Sequence, residues 1–89
     1  MATLFVRHKV ADYAKWRRAY GDFDAERHGM GVTSHGVYQL DGDPRDVTVY
    51  HEFKTLEAAG AFAGSPRLKQ VMMQAGVEGV PDIWFTNRD

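Results

Sequence analysis

At 89 residues the chain is a single domain, 1–89, with no room for a second independent core. Hydrophobic residues at 44% and charged residues at 26% place it in the ordinary globular class, and a net charge of −1 leaves no basic surplus for a nucleic-acid partner. The absence of cysteine excludes disulfides, thiolate metal sites and cysteine nucleophiles.

"MATLFVRHKV" carries charges within its first ten residues and no long apolar core. Neither a signal peptide nor a membrane span is expected, and a cytoplasmic location is the default. The same stretch reads as a strand, with Leu4, Val6, His8 and Val10 on one face and Phe5, Arg7 and Lys9 on the other. Asp12 then caps a helix whose Tyr13, Trp16, Tyr20 and Phe23 recur at offsets of three and four. Its basic run "KWRR" is offset at once by "GDFDAE", and "HGMG" closes it.

"VTSHGVYQL" is a second strand, in which Ser34, Gly36, Tyr38 and Leu40 share a face. "DGDPRD" is a turn, and "DVTVYHEF" a third strand that returns as a hairpin. On it Val47, Val49, His51 and Phe53 face one way, and Thr48, Tyr50 and Glu52 the other. Thr55 caps a short helix carrying Leu56, Ala59 and Phe62. Ser65 caps the next, with Pro66 at its first position and Leu68, Val71, Met72 and Ala75 as its apolar stripe. Gly76 stops it, and "PDIWFTN" is the last strand, with Ile83 and Phe85 opposite Trp84 in parity.

The order β-α-β-β-α-β, with the second helical region in two pieces, predicts an α+β, ferredoxin-like antiparallel sheet covered by helices on one face. The other face carries Phe5, Tyr50 and Trp84 among polar residues. A patch of three large aromatics marks an interface, and a homodimer packed sheet against sheet covers it economically.

His8 and His51 fall on the helix-facing sides of the two central strands, as a diagonal pair directed at Trp16 and Tyr20. One inward histidine is ordinarily satisfied by a neighbouring carbonyl or hydroxyl. Two are harder to absorb, since each buried polar group left unpaired costs about 1–3 kcal/mol. Buried imidazoles have lowered pKa values, which suits a general base near neutral pH. His8 and His51 are therefore the candidate catalytic residues. Trp16, Tyr20, Tyr38, Phe62 and Met72 are candidate walls of a substrate pocket, with Gly36 and Gly60 leaving it room.

His28, at a helix end, and His35, on the opposite strand parity, read as surface or interface residues. No HxxxH or two-histidine, one-carboxylate spacing appears, and Glu52 has the wrong parity to join His51, so no metal site is assigned. Phosphate loops and dinucleotide fingerprints are missing as well.

The stretches "VRHKVADYAKW", "VYHEFKTLEAAGAFAGSPRLKQVMMQAGV" and "PDIWF" resemble the dimeric α+β barrel superfamily, and within it the antibiotic-biosynthesis-monooxygenase-like proteins. The resemblance implies two ferredoxin-like subunits with facing sheets and a small-molecule pocket in each, between sheet and helices. It carries over no catalytic residue, because neither the Asn, Trp and Arg set of the quinone-forming monooxygenases nor the Asn and Trp pair of the haem-degrading branch finds its register here. The expected activity is a monooxygenase without metal or organic cofactor, acting on an apolar aromatic or polyketide-like compound. The alternatives are a polyketide cyclase-like enzyme, or a non-catalytic ligand-binding or accessory dimer. A haem pocket with a histidine ligand is a more remote one.

Overall fold

The computed structural model describes all residues, 1–89. Strand β1 (Ala2–Val10) leads into helices α1 (Tyr13–Asp22) and α2 (Asp24–Gly29). Strands β2 (Val32–Leu40) and β3 (Asp43–Phe53) form the hairpin, followed by α3 (Leu56–Ala63), α4 (Pro66–Gln74) and β4 (Val77–Asn87). The sheet order is β2-β3-β1-β4, and every neighbouring pair is antiparallel. This is the ferredoxin-like α+β fold expected from the element order.

The local signals act as the sequence predicts. The side chains of Asp12, Thr55 and Ser65 accept from the backbone N–H of Lys15, Ala58 and Leu68 at 3.2, 3.1 and 3.3 Å. Gly76 leaves α4 at φ 86°, a conformation that costs a residue without Cβ little. One helix became two: the run from Tyr13 breaks at Phe23, which ends α1 and starts α2. The hairpin turn is tighter than expected, because β3 begins at Asp43 and only Asp41 and Gly42 lie between the strands. Strand β4 starts four residues earlier than expected, and the β1–β4 register shifts between Arg7 and Lys9, where Gly79 lies opposite at φ 69°.

Alternate residues of β1 and β3 point under the helices. Ala2, Leu4, Val6, His8 and Val10 are buried, as are Val47, Val49, His51 and Phe53. The apolar interior is not one mass. Leu4, Val6, Phe23, Phe53 and Phe62 belong to one cluster, and Val10, Trp16, Tyr20, Val47 and Val49 to another.

Candidate functional site

The seam between the two clusters holds a hollow of about 50 Å³. That is room for one or two water molecules. Val6 and Val49 form its floor, Trp16, Tyr20 and Phe23 one wall, and Leu68, Val71 and Met72 of α4 another; Phe62 and Ala75 complete the lining with His8, His51 and Arg27. The parity of the two central strands thus brings both predicted imidazoles to one cavity, together with Trp16, Tyr20, Phe62 and Met72.

The imidazoles are not a diagonal pair. His8 lies opposite Val47 and His51 opposite Leu4, with the Val6–Val49 pair between them. Four residues of strand separate the two rings' attachment points, about 14 Å. His8 packs edge-on against Trp16 at one end, and His51 lies 4.9 Å from the Phe62 ring at the other.

Each has an Nδ1 that is fully buried and without a hydrogen-bond partner. Burial pushes His8 below the ordinary imidazole range, while its own backbone carbonyl and Asp46 pull the other way. His51 is pushed to about 3, first by burial, then by the guanidinium of Arg27 and by His35. Both rings are therefore neutral at pH 7. They differ in what their nitrogens can do: Arg27 Nε donates to His51 Nε2 at 3.1 Å, which occupies that lone pair and leaves the proton on Nδ1. His51, a lining residue, therefore carries its donor at Nδ1. No side chain donates to His8, whose ring can therefore offer a lone pair.

Arg27 holds this end of the hollow together. Only 2% exposed, it also donates from Nη2 to the Tyr20 carbonyl at 2.8 Å and from Nη1 to Asp24 Oδ1 at 3.2 Å. Its guanidinium lies 3.9 Å from the centre of the Tyr20 ring, a cation–π contact.

No protein-family profile and no curated protein sequence matches the chain. Its backbone does match solved structures. An antibiotic biosynthesis monooxygenase superposes with a TM-score of 0.75 at 8% identity, covering 100% of this chain and 99% of that one. SnoaB, a cofactor-independent oxygenase from Streptomyces nogalater, gives 0.75 at 13% identity, covering 99% and 93%. A conserved protein from Methanosarcina mazei Go1 gives 0.78 at 15% identity, covering 99% and 92%. The chain has the fold of the antibiotic biosynthesis monooxygenases.

Within that monooxygenase fold, β2 departs from the sequence reading. Val32 pairs with Phe53 and Ser34 with Glu52, so Thr33 is an extra residue, a β-bulge that inverts the parity from Ser34 to Gln39. Tyr38 consequently leaves the pocket: it lies opposite Thr48, 62% exposed, with its ring beside Tyr50 on the other sheet face. Gly36 makes room on that same face, where a Cβ would stand 2.5 Å from the Tyr50 ring, and Gly60 has nothing within 4 Å. Neither glycine shapes the hollow.

The bulge turns His35 to the helix side of the sheet, opposite His51, with its side chain still 26% exposed. Tyr20 Oη and His35 Nδ1 are 2.6 Å apart, and His35 Nε2 is 3.1 Å from Asp24 Oδ1. His28 Nε2 lies 3.6 Å from Asp24 Oδ2. A two-histidine, one-carboxylate group that the linear spacing did not show is thereby assembled from α2 and β2.

Arg27 was absent from the sequence reading, although the signal was there. It extends the stripe of Tyr13, Trp16, Tyr20 and Phe23 by one more step of four.

Proposed function

We propose that this chain is an oxygenase that needs no metal or organic cofactor, acting in the seam cavity on an elongated apolar hydroxyaromatic or polyketide-like compound, as a homodimer. The observation that carries this reading is the pair of imidazoles, each with a buried, unpartnered Nδ1, that line one mostly apolar hollow. Native interiors seldom leave such atoms unsatisfied without a use for them. The likeness in fold to a cofactor-independent oxygenase agrees with it.

In this reading neutral His8 removes the proton of an acidic hydroxyl or carbon. The resulting anion gives electrons to O2, one oxygen atom stays on carbon, and the other leaves as water with the two displaced hydrogens: CH2 + O2 → C=O + H2O. His51 donates its Nδ1–H to a carbonyl or oxyanion at the far end of the compound. The apolar walls exclude water and strengthen both interactions. A ligand larger than two waters enters by displacing Leu68, Val71 and Met72, which are only half-buried.

One observation favours a second reading, a non-catalytic ligand-binding dimer. His51 Nε2 is already bonded to Arg27, as a purely structural histidine would be. Oxygen uptake measured against a panel of hydroxyaromatics separates the two. For any active compound, His8→Val should lower turnover by about 10²–10⁴-fold, the usual worth of a general base, without lowering the melting temperature. Turnover unchanged in that variant removes His8 from the chemistry. Quenching of Trp16 fluorescence by compounds that never consume oxygen selects the binding protein.

A further inference from the structure

We propose that Asp24, His28 and His35 form a binding site for a divalent first-row transition ion of the Zn2+ class. Their ligand atoms all lie within 4.8 Å of one another, with His35 Nε2 at 3.1 Å and His28 Nε2 at 3.6 Å from the two oxygens of Asp24. Bonds of 2.0–2.1 Å to a tetrahedral ion would separate its donors by about 3.3 Å. The His28 Nε2–Asp24 Oδ2 separation is already near that value and the whole group spans no more than 4.8 Å, so rotations of the His35 and Asp24 side chains complete the site.

Each ligand has a reason to be where it is. Asp24 and His28 are four apart on α2 and project from one face of it. His35 reaches them because the Thr33 bulge turned it inward. Its Nδ1 rests on the Tyr20 hydroxyl at 2.6 Å. When that nitrogen carries the proton and Tyr20 oxygen accepts it, the Nε2 lone pair faces the carboxylate, where the ion would sit. This is the outer hydrogen bond that ordinarily fixes the tautomer of a metal-bound histidine. Arg27 holds Asp24 Oδ1 and leaves Oδ2 to the ion. The guanidinium's charge opposes the ion's, so micromolar affinity is expected in place of the tighter binding of an all-anionic site.

Two imidazoles and a carboxylate suit Zn2+, Co2+ or Ni2+ better than Mg2+ or Ca2+, which take oxygen donors. Three protein ligands leave a fourth position for water. None of the three lines the hollow, so the ion would clamp α2 to β2 behind the wall formed by Tyr20 and Arg27, and the site stands whether or not the oxygenase reading does.

The test uses the untagged full chain. Zn2+ titrated in a calorimeter should bind at one ion per chain, and Co2+ should give visible d–d absorption of low-coordinate intensity. His28→Ala, whose side chain is exposed, should keep the fold by circular dichroism yet weaken Zn2+ by about tenfold or more. His8→Val should bind as the parent does. Absence of Zn2+ heat up to millimolar concentration, or equal affinity in the folded His28→Ala protein, overturns the site.

Discussion

A histidine held neutral in an apolar core makes stability depend on pH, and His51 is such a group. Its pKa falls from 6.5 to about 3 on folding, so between those values the unfolded chain binds the proton and the folded chain does not. The stability is whole above pH 6.5 and declines as pH drops from 6.5 toward 3. At about 1.4 kcal/mol per unit, lowering the pH from 6.5 to 5 costs on the order of 2 kcal/mol through this residue. His8 and His35 shift in the same direction and steepen the slope. Asp43 and Asp46, held low first of all by hydrogen bonds from Lys9 and Arg7, act only in a more acidic window, below the ordinary carboxylate pKa. His51→Gln keeps an acceptor for Arg27 but cannot titrate. Urea midpoints at pH 7.5 and 5.0, taken with a chelator present, should therefore diverge less in that variant than in the parent. Equal slopes would mean that His51 is already hydrated in the folded chain.

At the scale of elements, strand parity explains both what could be read in advance and what could not. The faces of β1 and β3 were legible because strict alternation of Leu4, Val6, His8, Val10 and of Val47, Val49, His51, Phe53 has one solution in a sheet covered on one side. The face of β2 was not, because "VTSHGVYQL" lacks such alternation and Thr33 carries no mark of a bulge. One inserted residue exchanged Tyr38 for His35. Helix α4 was legible in its cap and stripe, yet its weak anchoring was not: it has no fully buried residue and presents Leu68, Val71 and Met72 to the hollow half-buried. The exposed pair Arg67–Glu26 ties it to α2, and exposed pairs contribute about 1 kcal/mol or less. The Ser65 cap is therefore a large share of what holds α4 in place. Ser65→Ala should cost about 1 kcal/mol and speed amide exchange about fivefold. Hydrogen-exchange mass spectrometry should find that acceleration confined to 66–74. Acceleration spread evenly over β1 and β3 would show that α4 opens only with the whole domain.

The whole molecule is short of core. Only 18 of 89 residues are buried, so the burial that stabilises larger domains is in short supply. Apolar surface is meanwhile left outside: Trp84 stacks on Phe5 with ring centres 5.5 Å apart, Tyr38 lies beside Tyr50, and Val80, Ile83 and Phe85 of the edge strand β4 are 94%, 42% and 44% exposed. Ile83 and Phe85 have inward parity, opposite Val6 and Leu4, yet remain accessible. Both faces of β4 thus leave large apolar side chains uncovered, a state that edge strands normally avoid. The second copy proposed above would cover the face bearing Phe5, Tyr50 and Trp84, to which the bulge adds Tyr38. A stable interface takes about 800 Å² from each partner, roughly one seventh of the 5454 Å² this chain exposes. Light scattering on the eluting peak should give twice the chain mass for the parent protein. Trp84→Glu places a charge in the Phe5–Trp84 stack on that face and should give the single-chain mass, with far-ultraviolet circular dichroism retained and a lower melting temperature. Tyr38→Glu, farther from the Phe5–Trp84 stack, should weaken association to a smaller degree, seen as a dimer that dissociates on dilution. A parent protein that elutes at the single-chain mass at every concentration would remove the second copy, and the aromatic face would then have to be covered by another partner.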